Sequence, residues 1–165
     1  MHVNASKFVS QRAAGMPASG IRRFFDIAAT MDDVISLGIG EPDFDTPEPI
    51  VAAGIEALKR GETHYTSNSG LIELRRAIAE HIDAQYQQTY NPVSEILVTV
   101  GVSEALFLAM CALLDPGDEI IFPEPSFVSY RPTAMMVSAK PVVVPTSCDT
   151  GFQITAEEID KVVTE

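Results

Sequence analysis

Basic residues are scarce in this sequence: 11 lysines and arginines stand against 23 aspartates and glutamates, a formal charge of −12 over 165 residues. That excess opposes a nucleic-acid backbone as partner and gives no purchase on an anionic membrane surface. Cysteine is almost missing too. Only Cys111 and Cys148 occur, neither in a CxxC or other metal spacing, which excludes a disulfide scaffold and fits a reducing compartment. Cys111 lies inside an apolar helical run and is expected to be a buried, inert thiol; Cys148, in a turn-like stretch, is expected near the surface and unpaired. The histidines His2, His64 and His81 show no metal spacing. No apolar run reaches the roughly 18 residues of a spanning helix, and the leading segment MHVNASKFVSQRAAG has no continuous apolar core of a signal peptide. A cytoplasmic chain is the expectation.

What is present is a globular composition, 46% apolar, enough to fill a core. Ile21, Phe24, Phe25 and Ala28 recur at helical spacing and predict an amphipathic helix over 19–30. Val34 to Leu37 is a short strand candidate, stopped by Gly38-Ile39-Gly40 and Glu41-Pro42. Thr46 as cap and Pro47 at the first helical position predict a helix to about Arg60, ended by Gly61. After the break Tyr65-Thr66-Ser67-Asn68-Ser69-Gly70, a long helix is predicted from Leu71 to Tyr86, with Leu71, Leu74, Ile78 and Ile82 near one face.

From residue 96 the period changes. Strands are predicted at Ile96–Val100, Glu119–Phe122 and Pro141–Val144, with helices at Ser103–Leu114 and Ser126–Val137 between them. This βαβαβ alternation predicts an α/β fold with a mostly parallel sheet and ligand sites at the strand C-terminal ends. A capped helix begins at Thr155, with Glu158 three residues on. It stops early at Glu165 beside a half-sheet with an apolar edge, so the natural polypeptide is expected to continue.

Two stretches carry candidate chemistry. The predicted strand 96–100 runs through Gly101-Val102 into Ser103, which would place backbone N–H groups and a hydroxyl at the positive end of a helix, as an anion requires. The same residues also read as a tight turn with an ordinary N-cap, and neither the Walker A nor the GxGxxG pattern is present. Phe127, in Pro125-Ser126-Phe127-Val128-Ser129-Tyr130, could stack on a flat heteroaromatic cofactor or could simply pack in the core.

Taken together, five segments resemble the class I/II pyridoxal-phosphate aminotransferases in order and spacing: Ile35-Ser36-Leu37-Gly38-Ile39-Gly40-Glu41-Pro42-Asp43-Phe44-Asp45-Thr46-Pro47; Tyr65 with Gly70-Leu71-Ile72-Glu73-Leu74-Arg75; Val98-Thr99-Val100-Gly101-Val102-Ser103-Glu104-Ala105-Leu106; Asp115-Pro116-Gly117-Asp118-Glu119; and Pro125 to Tyr130. The likeness is to aspartate/aromatic-type members and runs from about Ser19 onward. It implies an aspartate aminotransferase-like fold, with residues 1–45 giving an N-terminal arm and small-domain segment and residues 46–165 the first part of a large pyridoxal-phosphate-binding domain.

Carried over residue by residue, the resemblance makes Gly40 the backbone position nearest the substrate carboxylate. Tyr65 becomes the residue that reaches the cofactor phosphate of the neighbouring subunit in a homodimer. The phosphate itself is met by the N–H groups of Val102 and Ser103 and by the Ser103 hydroxyl, with Gly101 allowing close approach. Phe127 takes the place of the ring-stacking aromatic, often tryptophan in aspartate enzymes; it keeps the π-face and lacks the indole donor. Glu104, where relatives often carry glutamine, is expected to turn away from the phosphate.

The family's Schiff-base lysine, pyridine-pairing aspartate, ring-oxygen asparagine and tyrosine, and carboxylate-clamping arginine have no matching motif here, so no catalytic residue is assigned. Lys7, Lys59, Lys140 and Lys161 all read as solvent-facing charge. His64, beside Tyr65, reads as an ordinary polar residue or as a site contact. The implied function is transfer of an amino group from an aromatic, aspartate or broad range of L-amino acids to a 2-oxo acid such as 2-oxoglutarate, by the full-length protein. The alternatives are a pyridoxal-phosphate lyase on the same scaffold and a non-catalytic fragment lacking the lysine.

Overall fold

The computed structural model describes residues 5–16, 20–35 and 40–164. The chain divides into two compact units, one of residues 1–23 and 100–165 and the other of residues 24–99.

The first unit is organised by a parallel pair, β1 (Glu119–Glu124) and β2 (Lys140–Pro145). Its register runs from Glu119 opposite Lys140 to Glu124 opposite Pro145. Strands of the same sense need a crossover between them, and the helix α6 (Tyr130–Met136) supplies it. Ala134, 0% exposed, lets α6 lie close to its neighbours, and a small cluster forms from Met110, Ala134 and Ala139 with Leu114, Ile120 and Val137 against it. Met110 comes from α5 (Gly101–Leu113), which packs on α6. A short helix, α1 (Gln11–Ala14), is tied to the end of α6 by the Arg12 guanidinium, which donates to the Met136 carbonyl at 3.1 Å. A cation at a helix C-terminus suits both the dipole and the unsatisfied carbonyls.

The second unit holds two long helices, α3 (Glu48–Lys59) and α4 (Ile72–Tyr86). Pro47 is the N-cap of α3, so the helix starts one residue later than the sequence suggests; the Pro47 carbonyl accepts from Ile50 at 2.9 Å and Val51 at 3.2 Å, and Thr46 does not cap. Gly61 does end the helix: it sits at φ +74° while its own N–H reaches Leu58 and the Glu62 N–H reaches Ala57, the paired closure of a left-handed stop. On α4, Arg75 is buried at 6% exposure and donates through Nη1 to the carbonyls of Pro92 (2.7 Å) and Val93 (3.1 Å). The Ser69-Gly70 turn is locked to the 96–99 segment. Val98 donates its N–H to the Ser69 carbonyl at 3.1 Å. A Cβ on Gly70, at φ +91°, would lie 2.7 Å from the Val98 Cβ.

The helix predicted over 19–30 forms as α2 (Gly20–Ala28), and the capping box at Thr155 forms in both directions at the start of α7 (Ala156–Asp160). Other expectations need correction. Residues 96–100 are not a strand: a strand exists through a neighbour's backbone groups, and the Val98 N–H is spent on a turn instead. The helix after β1 starts at Tyr130, leaving Ser126 and Phe127 in the preceding turn. Cys111 is exposed, as is Cys148, because the core covers one side of α5 only. Val34 and Ile35 are not in a strand, and the remainder of that candidate, 36–37, lies outside the described residues.

The chain exposes 13965 Å². A folded monomer of this mass exposes roughly 8,000 Å², and two separate globules of half the mass together about 9,600 Å². Apolar side chains are part of that surface: Ile50, Ile55 and Leu58 on α3, and Val102 and Leu113 on α5, are all exposed.

Two outcomes follow for the native gene product. Gly70→Ala should lower stability by about 2 kcal/mol or more, because positive φ and the clash with Val98 act together; equilibrium urea unfolding reads this directly. At the sheet, hydrogen bonds from Lys140 and then Thr164 hold the Glu119 carboxyl below the ordinary carboxylate range. A depressed folded value contributes stability above the unfolded carboxylate value and loses it as pH falls through the folded one. Glu119→Gln should therefore flatten the acid limb of the urea midpoint against pH and leave its alkaline side parallel to the parent.

Candidate functional site: the N-terminus of α5 and the turn before α6

The segment 96–99, which is neither helix nor strand, leads to Val100, the N-cap of α5. Gly101 opens the helix at φ +74°, the left-handed region where glycine is favoured. A Cβ there would meet nothing within 4 Å, so backbone conformation rather than crowding calls for glycine, and the space above it is open. Val102 and Ser103 occupy the second and third helical positions, whose N–H groups find no acceptor within a helix. Both are exposed. Ser103 lies inside the first turn and is not the cap, which leaves the cap position to a valine with no side-chain acceptor.

The acceptor is Glu104. Its carboxylate folds back and takes the Val100 N–H, so one acid already sits at the positive end of α5, directed at the cap residue. The sequence reading left Glu104 out of the site but gave no hint of this bond, which joins a side chain to the backbone four residues earlier.

Phe127 stands in the turn between β1 and α6, 52% exposed. Tyr130 meets it edge-on, ring centroids 5.7 Å apart at 73°, and donates its N–H to the Phe127 carbonyl at 3.1 Å. Beside it opens a cavity of ≈ 580 Å³, lined by Gly20, Phe127, Ser129 and Met136 among others. The pair Arg131 and Glu124, 3.8 Å apart, also lines it.

The structure thus groups Gly101, Val102, Ser103 and Phe127 in one unit, the first three in the opening turn of α5 and Phe127 in the turn before α6, the helix that α5 packs on. Tyr65 and Gly40 belong to the other unit; both are exposed, and nothing lies within 4 Å of a Cβ built on Gly40. His64 is exposed as well. Lys59 is paired with Glu56 at 2.8 Å and Lys140 with Glu119, while Lys7 and Lys161 are exposed. No group of three metal-ligating side chains occurs among the described residues. The arrangement suits an anion at α5 and a flat ring at Phe127; no lysine stands beside either.

The family model for aminotransferase class I and II matches residues 32–165. The aspartate aminotransferase of Pyrococcus abyssi is 48% identical over 95% of this chain and 40% of its own length. Aromatic-amino-acid aminotransferase 2 of Thermococcus litoralis is 40% identical over 94% of the chain and 40% of its own length. Among solved structures, the aspartate aminotransferase of Thermotoga maritima superposes with a TM-score of 0.88 at 39% identity, over 94% of this chain and 42% of that one. The chain spans about two fifths of the length of the relatives it matches.

Glu104→Gln is informative here, since it keeps an acceptor for Val100 and removes the charge. Thermal unfolding should show α5 weakened by about 0.3–1 kcal/mol through loss of the dipole interaction. Titration with inorganic phosphate should show the opposite sign, an affinity raised about two- to fivefold.

Proposed function

The chain belongs to the aminotransferase class I and II family, and from that membership we propose that the protein carrying it moves an amino group from an L-amino acid to a 2-oxo acid with pyridoxal 5′-phosphate as cofactor. Aromatic amino acids, aspartate or a broad set are the donors and 2-oxoglutarate is the acceptor. The supporting observation is the open N-terminus of α5, where the positive φ of Gly101 precedes two amides that the helix cannot satisfy. That donor set fits a phosphate dianion.

In this reading the Val102 and Ser103 N–H groups and the Ser103 hydroxyl hold the phosphate, and Gly101 allows it to approach the backbone. Phe127 lies against one face of the pyridine ring. Gly40 offers its backbone to the substrate carboxylate. Tyr65, fully exposed, reaches the phosphate held by a second copy, so the working form is a homodimer. Residues 1–45 serve as arm and small-domain segment and residues 46–165 as the first part of the large domain. When bound, the cofactor supplies the electron sink at the substrate α-carbon. None of Lys7, Lys59, Lys140 and Lys161 is assigned to moving the α-proton. No helix among the described residues is long and apolar enough to cross a membrane, and we place the protein in the cytoplasm.

The test is an amino-transfer assay on the native gene product with pyridoxal phosphate, 2-oxoglutarate and a panel of donors. Glutamate should form in step with the donor's 2-oxo acid, and Ser103→Ala should weaken cofactor binding about tenfold or more, as expected for a hydrogen bond to a charged group. Ammonia released without glutamate would point to a lyase and contradict the assignment.

A further inference from the structure

We propose that Tyr130 is a positioning residue that fixes the orientation of the Phe127 ring and thereby the face offered to a flat heteroaromatic cofactor; the proposal rests on the pyridoxal-phosphate reading above. Phe127 lies in a turn with about half of its surface in solvent, 52%, so burial alone does not hold its ring. The aromatic contact it makes is with Tyr130, at 5.7 Å and 73°. A T-shaped contact covers at most one face of Phe127 and leaves the other for a stacking partner.

Tyr130 is itself held. It is half-buried, and its ring meets Phe122 at 6.5 Å and 62°. Phe122 is 8% exposed and sits in β1 opposite Val143 of β2. The Tyr130 N–H closes the turn onto the Phe127 carbonyl at 3.1 Å. Position therefore passes from a paired strand to a buried ring, then to a half-buried ring, then to the exposed one. Phe127 needs this chain because the turn 125–129 has no regular backbone ladder of its own. The contact between the two rings carries the effect, and the hydroxyl is not required for it.

The experiment is a double-mutant cycle on the native gene product, read as the dissociation constant of pyridoxal phosphate and as the circular dichroism of the bound cofactor, which reports the orientation of its ring. Tyr130→Leu should weaken binding roughly two- to tenfold, the span of an aromatic pair interaction, and reduce the dichroism. Phe127→Leu should do the same, and in that background Tyr130→Leu should add nothing further. Tyr130→Phe should bind as the parent does. If Tyr130→Leu does not fold, Tyr130→Met, unbranched and adaptable, takes its place in the cycle. Losses that add independently, or a Tyr130→Phe variant as weak as Tyr130→Leu, overturn the proposal. Parent-like binding by Phe127→Leu overturns it too, while losses at Ser103 would leave the cofactor reading standing. A parent protein that takes up no pyridoxal phosphate overturns both.

Discussion

A parallel pair of strands has to be covered on both faces, because the crossover that joins them lays a helix on the sheet and leaves no face suited to water. β1 and β2 impose that demand here. The six-residue register sets where Phe122 and Val144 are buried, the crossover puts Ala134 at the centre of the cluster, and α5 adds Met110 to it. What the described residues supply is less than the demand. The exposed area is well above that of a compact chain of this mass, and apolar residues of α3 and α5 stand exposed.

The same packing produces the site. α5 is held through Met110 near its C-terminal half, which leaves Val102 and Ser103 of its first turn exposed. One helix thus serves the core at one end and, in the proposed function, an anion at the other. The β1–α6 connection works in a similar way, since the strand that anchors Phe122 is followed within five residues by the exposed Phe127. Ligand sites at the C-terminal ends of parallel strands arise for this reason: the strands end there, the helices begin, and dipoles and loop side chains converge.

The elements were legible where local chemistry decides them. The helices at 20–28, 48–59 and 72–86, the stop at Gly61 and the Thr155 capping box all rest on contacts a few residues apart. Ile96–Val100 misled because its β-branched run states a preference for extended backbone, and whether a ladder forms depends on a neighbour that its own residues do not encode. Cys111 misled for a related reason: an apolar run predicts burial only where something packs on it. At the site, Gly101 to Ser103 could be picked out from turn and cap chemistry. The Glu104 bond to Val100, the Arg75 anchor on Pro92 and Val93, and the Tyr130 contact depend on side-chain directions that spacing does not fix.

The central claim is that this chain takes part in a larger, cofactor-holding aminotransferase. Native mass spectrometry of the gene product isolated from its own cells tests it most directly, because it reads polypeptide mass and retained small molecule together. The account predicts a species well above the 17.8 kDa of this chain that carries pyridoxal phosphate. A 17.8 kDa monomer that carries no cofactor, even after incubation with it, would contradict the account.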